Sequence, residues 1–565
     1  MSLPEKLRGR RIVVARVGAA DGEPLPRGLA VHRTIDLSRW WAGGGWGLPA
    51  MLVPPCTGRV RIRHWLRLLL GGHFTVWVYA AGEIKSVPIF GNLLKKWIWP
   101  LAQVNPFFRQ LLKALVASLS PDWQVRVVVP LQRIEGWLVR RLKRRRPLPG
   151  DSLLPSEAFA AGGVVEAIGS LSAGGAERQA VYTAVGVAAR SSATVTILCL
   201  YLRESEGCRF YQPMVGPEVL LAQARDVDTS SPPDPRLAAI QVFLAQYPRD
   251  IATAAYRFVL EFLDRRPAVV HAWLDYTAVT AGLAAMLVGV PRIVIGCRSL
   301  APDNFLLYRS CMDDIFELLL GCDRVCFINN SRAGARDYGR WLGQPPERFT
   351  ILYNGIDDRQ IERADPAAAA RFRQTVGIPA GVRVVGGVLR LTQEKRPLLW
   401  IEAMAVLARR CPDLHFLLLG SGPLDKACRR RAERDGWADR LHMPGALREV
   451  ATALSVMDVV VATSVHEGNP NVLIEAGLLG LPIVSTDAGG VRETLLPDQT
   501  GLLAAPKPAA LAAAILRVLD DEAWRARAAG LAPSFVRQRF GLERMIDETL
   551  AVYAGGRSDS SRPSA

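Results

Sequence analysis

From residue 162 the chain alternates short, continuous apolar runs with longer stretches whose apolar positions recur every three to four residues. The runs GGVVEAIGS (162–170), ATVTILCLYL (193–202), AVVHAW (268–273), RIVIG (292–296) and VCFINNS (325–331) have the length of strands buried on both faces. A helix is predicted from about Ala176, and another over GLAAMLVGV (282–290), ended by Gly289 and Pro291. After ILYNGID (351–357), residues 362–381 read as a linker with a short helix. A second series follows: VRVVGGVL (382–389), a helix over 397–410, HFLLLG (415–420), LHMPG (441–445), DVVVAT (458–463) and PIVSTD (482–487). The pattern predicts an α/β protein with two tandem Rossmann-like, doubly wound parallel-sheet domains, 156–360 and 378–553, facing each other across a cleft.

The stretch SVHEGNPNVLIEAGLLGLPIVSTDAGG (464–490) joins the last two of these strands. Asn469 is predicted to cap its helix, with Pro470 at the first helical position, where a missing N–H costs nothing. The helix should stop at Gly480, and AGG (488–490) should form a tight loop. Glu467 then lies at the carboxyl end of a strand, where open α/β sheets bind ligands, and Glu475 in the second turn of the helix. A carboxylate can accept two hydrogen bonds from a vicinal diol, which suits Glu475 to a ribose and Glu467 to sugar hydroxyls. Each also reads as an ordinary surface glutamate. Arg390 ends a strand and Lys395 follows on its loop, two cations placed to clamp a diphosphate, or an exposed loop paired to Glu394. Gly174-Gly175, between a strand and a helix, lets backbone N–H groups approach an anion, or forms a plain turn. Gly489 and Gly490 let the backbone approach the same ligand. Together these groups outline a nucleotide diphosphate with a sugar attached.

Composition divides the chain. Of 70 Lys and Arg and 53 Asp and Glu, residues 1–150 hold 25 and 7, a net +18, while the rest of the chain is near neutral. Nine of the 14 tryptophans lie in the same 150 residues. This basic, Trp-rich extension ends in RRLKRRRPLPGDS (140–152), and RIVVARV (11–17), FTVWVYA (74–80) and residues 126–130 could be strands of a small α/β module. The aromatic, apolar and basic stretch 87–115, broken by Pro100 and Pro106 into more than one short helix, suits helix lying at an anionic membrane surface; internal docking and nucleic-acid binding are the other readings, nucleic acid the least favoured. The tail 554–565 reads as disordered. The scattered cysteines suit a reduced, cytoplasmic compartment. MSLPEKLRGRR lacks the apolar core of a secretory signal, and no uninterrupted run of 18 apolar residues occurs. No metal site is expected: Cys322 and Cys326 lack partners at zinc spacing, and Asp226-Val227-Asp228 sits in a Pro/Ser-rich loop. No cofactor beyond the nucleotide-sugar donor is expected.

The segment HEGNPNVLIEAGLLGLPIVSTDAGGVRETL (466–495), with SAGGAERQA (172–180), VLRLTQEK (388–395), YNGID (353–357) and GSGPL (420–424), resembles the signature of retaining glycosyltransferase family 4. The resemblance covers about residues 160–550 and implies the two-domain fold called GT-B. It implies that Glu475 binds the donor's ribose, that Glu467 faces the donor sugar, and that Arg390 and Lys395 grip the diphosphate. It places Gly174, Gly175, Gly422, Gly468, Asn469, Gly489 and Gly490 around the donor. His271 matches the first histidine of a family HAH motif, while Trp273 replaces the second; two readings of His271 stay open, a sugar contact and a satisfied structural residue. The implied activity is retaining transfer of a sugar from a nucleotide-diphosphate donor to a lipid-linked or growing glycan acceptor in polysaccharide biosynthesis; the lack of a metal motif suggests that it is metal-independent, and the basic extension suggests a place at the inner face of the cytoplasmic membrane. The alternative is a non-catalytic sugar-nucleotide or glycan-binding protein on the same scaffold.

Overall fold

The computed structural model describes residues 11–16, 30–36, 75–80 and 83–88, then 156–159 and 162–556 apart from 205, 227–236, 306 and 448–449. There are two compact units, Met1–Glu135 and Gly136–Ala565. In the first, β1 (Arg11–Arg16), β2 (Ala30–Asp36), β3 (Thr75–Ala80) and β4 (Glu83–Pro88) form one sheet in the order β2-β1-β3-β4. β1 runs parallel to both neighbours, and β3 and β4 pair antiparallel. The expected strands near 11–17 and 74–80 are present. The expected strand at 126–130, nearly all of 87–115 and residues 557–565 lie outside the described residues.

The second unit contains two sheets, each parallel throughout. The first takes β5 (Val164–Ile168), β6 (Val195–Cys199), β7 (Val219–Gln223), β8 (Val269–Trp273), β9 (Arg292–Cys297), β10 (Val325–Asn329) and β11 (Phe349–Ile351) in the order β11-β10-β9-β8-β5-β6-β7. The second takes β12 (Arg383–Val388), β13 (Leu414–Leu419), β14 (Leu441–Gly445), β15 (Val459–Ala462), β16 (Ile483–Thr486) and β17 (Gly501–Ala504) in the order β14-β13-β12-β15-β16-β17. Strands such as VVEAI and VTILC are buried at every position, because helices cover both faces. In each sheet the chain starts centrally, winds to one edge, then restarts on the other side. The order therefore reverses between β5 and β8 and between β12 and β15, and ligands of open sheets lie beyond the carboxyl ends at such points.

The helices that shape the site are α1 (Gly175–Arg190), α2 (Arg249–Arg265), α3 (Arg332–Leu342), α4 (Pro397–Arg410), α5 (Asn471–Leu478), α6 (Glu522–Phe540) and α7 (Leu542–Tyr553). α4 spans the predicted residues. α5 differs from expectation: Pro470 is its N-cap and Asn471 its first residue. Asn469 does not cap it, because its side-chain oxygen and carbonyl are taken by Asn354 of the other domain. The stop at Gly480 is as expected, with φ +68°. Residues Gly489–Glu493 form a short 3-10 turn where a loop was expected. After α6 the chain crosses back to the first domain. The two crossings run side by side, with Ile356 N–H donating to Phe540 O at 2.7 Å and Leu542 N–H to Ile356 O at 3.0 Å. α7 then packs on α1, where Met545 and Ile546 join Tyr182 in a small apolar cluster.

Candidate functional site

Both reversal points open onto the same seam. At the end of β5 the chain turns through Gly174, the extended N-cap of α1. A Cβ on Gly174 would lie 2.0 Å from the Glu177 carboxylate, which folds back over the helix start. Burial pushes the Glu177 carboxyl up, against the lowering effect of its own backbone N–H and of Arg390. At the end of β12, Arg390 is 63% exposed and pairs with Glu394 at 3.3 Å, the pairing weighed in the sequence. Lys395, on the same loop, is turned inward. Its Nζ meets Glu467 at 2.6 Å, and Ser464 Oγ donates to the same Glu467 oxygen at 2.6 Å. Thr463 Oγ donates to the carbonyls of Lys395 and Arg396 at 2.9 and 3.0 Å, tying the loop after β15 to the loop after β12.

The glycines carry backbone-on-backbone contacts. A Cβ on Gly490 would fall 1.7 Å from Gly468 O, and one on Gly489 (φ +57°) 2.2 Å from Glu467 O. Gly490 N–H donates to Glu467 O at 3.0 Å. Gly422 lies against the Arg390 loop: a Cβ there would be 2.6 Å from Leu391 O. Gly468 abuts the first domain, where its Cβ would be 2.5 Å from Asn330 Oδ1 and 2.7 Å from Arg298 O.

Glu475 is 2% exposed and pairs across the seam with Arg178 of α1. Burial pulls the Arg178 guanidinium down, and the Glu475 carboxylate outweighs it and holds the pKa above the ordinary arginine value. Gly175 O accepts from Asn471 Nδ2 at 3.4 Å. The amide of Asn354, from YNGID, bridges the domains: its Nδ2 donates to Asn469 O at 2.8 Å and Asn471 Oδ1 at 2.6 Å. Glu493 reaches the start of α3, accepting from Arg332 N–H and Ala333 N–H at 2.8 Å each. Arg178, Asn354 and Glu493 were unassigned in the sequence, although each lies inside a motif that marked the seam.

His271 is fully buried, stacks on Trp273 at 4.3 Å between centroids, and shares a 2.9 Å hydrogen bond through Nδ1 with Tyr553 of α7. Glu166 of β5 completes the group, accepting from Trp273 Nε1 at 2.7 Å and Tyr553 OH at 2.5 Å. Asp226 is 3.2 Å from Arg257 of α2, while Val227 and Asp228 lie outside the described residues. Among the described residues no three His, Cys, Asp or Glu side chains group as a metal site requires.

Residues 173–360 match the family model "Glycosyltransferase Family 4", and residues 382–521 match "Glycosyl transferases group 1". The Vi polysaccharide biosynthesis protein VipC/TviE of Salmonella typhi is 29% identical over 322 residues, 56% of this chain and 56% of that protein. The 2-deoxystreptamine glucosyltransferase of Streptomyces kanamyceticus is 32% identical over 219 residues, 38% of this chain and 54% of that protein. The chain thus spans about half the length of these curated relatives. Among solved structures, Anabaena Alr3699/HepE in complex with UDP and glucose aligns with TM-score 0.56 at 20% identity, covering 70% of this chain and all of that one. Sucrose-phosphate synthase of Thermosynechococcus elongatus aligns with TM-score 0.56 at 20% identity, over 70% of this chain and 98% of that one. These likenesses establish the GT-B fold, and with the two family models in chain order, the protein belongs to glycosyltransferase family 4.

Proposed function

We propose that this protein transfers a sugar, with retention of its anomeric configuration, from a nucleotide-diphosphate sugar to a glycan or lipid-linked acceptor in polysaccharide biosynthesis. The observation that carries the reading is the seam itself, where Arg178 and Gly175 of α1 meet Glu475 and Asn471 of α5 while Lys395 pairs with Glu467 on the second domain's loops. The departing diphosphate gains negative charge as the glycosidic bond breaks. Two preplaced cations and the positive end of α1 would stabilise that charge more in the transition state than in the ground state. Lys395 would leave Glu467 for the diphosphate, freeing the Glu467 carboxylate for hydroxyls of the donor sugar. Glu475 would exchange Arg178 for the two ribose hydroxyls. The remaining glycines, with Asn469, shape the backbone that lies against the donor. His271 would act on the sugar only through an opening at its Nε2, which has no partner among the described residues. The VipC/TviE likeness supports a polysaccharide product, and the HepE likeness supports a uridine nucleotide.

The reading is tested by incubating the full-length protein with a panel of UDP-, GDP- and ADP-sugars and following nucleotide release and product configuration by NMR. Release from at least one donor, a product of the donor's own anomeric configuration, and activity that persists in EDTA are expected. An inverted product, or loss in EDTA that Mg²⁺ restores, would overturn retention or metal independence respectively.

We further propose that the basic extension holds the enzyme at the inner face of the cytoplasmic membrane. Its +18 charge and nine tryptophans support this, and no helix among the described residues is long and apolar enough to cross a membrane. Each basic group near an anionic surface contributes about 1 kcal/mol. The protein should co-sediment with anionic vesicles at low salt and be partly released at high salt. Full-length protein left in the supernatant at low salt would refute the membrane reading.

A further inference from the structure

The seam contains a buried cation with no counter-charge. Arg298 follows β9 and is 7% exposed. Its guanidinium lies 4.7 Å over the Trp273 ring, and Nη2 donates to Asn354 Oδ1 at 2.5 Å. Its Nε and Nη1 have no partner among the described residues. Burial pulls its pKa down to about 9. The contrast with Arg257 is instructive: that buried arginine donates to the carbonyls of Ala224 and Arg225 and pairs with Asp226. A structural arginine is satisfied in this way, whereas a buried charge left without an anion is costly and persists at sites that bind one.

The neighbours point the same way. Asn469 Nδ2, Asn330 Oδ1 and Arg178 Nε are also buried without partners. Asn469, Asn330 and Arg298 belong to one chain of contacts through Asn354, which reaches Gly175 by way of Asn471, and Arg178 pairs with Glu475 on the helix that Asn471 begins. Four of these five orphaned atoms are donors. The backbone of Arg298 and Ser299 abuts Gly468, next to Glu467, so parting that contact uncovers the guanidinium beside the sugar position. Arg390 and Lys395 already answer the two phosphates, which leaves Arg298 as a surplus cation on the first domain's side.

We propose that Arg298 receives a carboxylate on a sugar held in the seam, so that a substrate of this enzyme is a uronic acid. The proposal rests on the nucleotide-sugar reading above. The carboxylate could belong to the donor sugar or to the acceptor, and the arms of the experiment separate them.

Isothermal titration of the full-length protein compares UDP-glucuronate and UDP-galacturonate with UDP-glucose and UDP-galactose. A second arm compares the free uronates with the free hexoses at saturating UDP. Wild type should prefer a uronate in one arm by at least roughly tenfold, the effect of one charge-assisted hydrogen bond. Preference in the first arm assigns the carboxylate to the donor, and in the second to the acceptor. Arg298→Gln should abolish the preference while UDP itself binds within about twofold of wild type, and Arg298→Lys should keep part of it. Absence of a preference in both wild-type arms, or a preference that survives in Arg298→Gln, overturns the proposal. If Arg298→Gln does not fold, the wild-type arms and Arg298→Lys decide. If UDP does not bind wild type, the nucleotide reading fails, and the free sugars without nucleotide still read Arg298.

Discussion

Lys395 and Glu467 neutralise each other at 2.6 Å before any substrate is present, so neither can be altered without changing what the other meets. Both side chains are mostly buried on loops outside the two cores. Lys395→Ala is therefore expected to lower stability by about 1–3 kcal/mol, by stranding the Glu467 carboxylate, and to slow transfer roughly 10²-fold or more, as for a lost transition-state donor. A near-wild-type kcat in that variant would remove Lys395 from the diphosphate. Glu475 and its partner Arg178 are likewise largely buried. Glu475→Ala should weaken nucleotide affinity and also lower stability, by up to about 3 kcal/mol for a stranded charge; Glu475→Ala with Arg178→Ala should recover much of the stability but none of the affinity. Chemical denaturation together with UDP titration reads both. A third pair is unrelated to the donor. His415 and His442 share a 2.9 Å hydrogen bond between β13 and β14. Burial lowers both pKa values, and for His415 the His442 ring and Arg440 lower it further. The folded state thus binds fewer protons than the unfolded state near pH 6. Stability from this pair is full above the ordinary histidine pKa near 6.5 and is lost as pH falls through the depressed folded values. Thermal melts between pH 7.5 and 5 should show this loss, and His442→Gln should flatten it.

At the scale of elements, the glycine contacts are as restrictive as any side chain. Gly490→Ala puts a carbon 1.7 Å from Gly468 O, so the turn before Glu493 must move away from the Glu467 loop. Expected costs are about 1–3 kcal/mol in stability, measured by denaturant midpoint, and a loss of UDP binding. Retained binding would show that the loops move together. The elements themselves were legible in the sequence because parallel strands buried on both faces read as unbroken apolar runs, such as VVEAI or VVVA, and helices fill the intervals. Boundaries were less so. Asn469 has the chemistry of a cap, but the backbone N–H of Asn354, 115 residues earlier in the chain, donates to its side-chain oxygen instead. Nothing local announces such a partner. The same distance hid Arg178–Glu475, 297 residues apart, and Glu493 at the start of α3. Each residue stood inside a recognised motif, yet its pairing exists only once the two domains close on each other. The motifs thus marked where the seam lies without revealing what bridges it.

At the scale of the molecule, the two sheets were foreseen, and the return of α7 to the first domain was not. Residues 542–553 bury Met545, Ile546 and Val552 and deliver Tyr553 to Glu166 and His271. Ending the chain at Gly541 removes three buried apolar side chains, each contributing about 1.5–3 kcal/mol, and leaves Glu166 without one of its donors. The truncated protein should lose the cooperative melting of its first domain while the second still unfolds as a unit, as resolved by calorimetry. An unchanged first transition would show that α7 is dispensable. The order of synthesis adds a further consequence. β11 leaves the ribosome about 200 residues ahead of Tyr553. At roughly 5–20 residues per second, the first domain waits about 10–40 s with an open flank and with Glu166 short of its Tyr553 donor. The nascent chain therefore cannot mature from its beginning to its end. The second domain must be made before the first is finished, and a pause or an early stop near the end of translation would leave the part made first as the part exposed to aggregation and proteolysis.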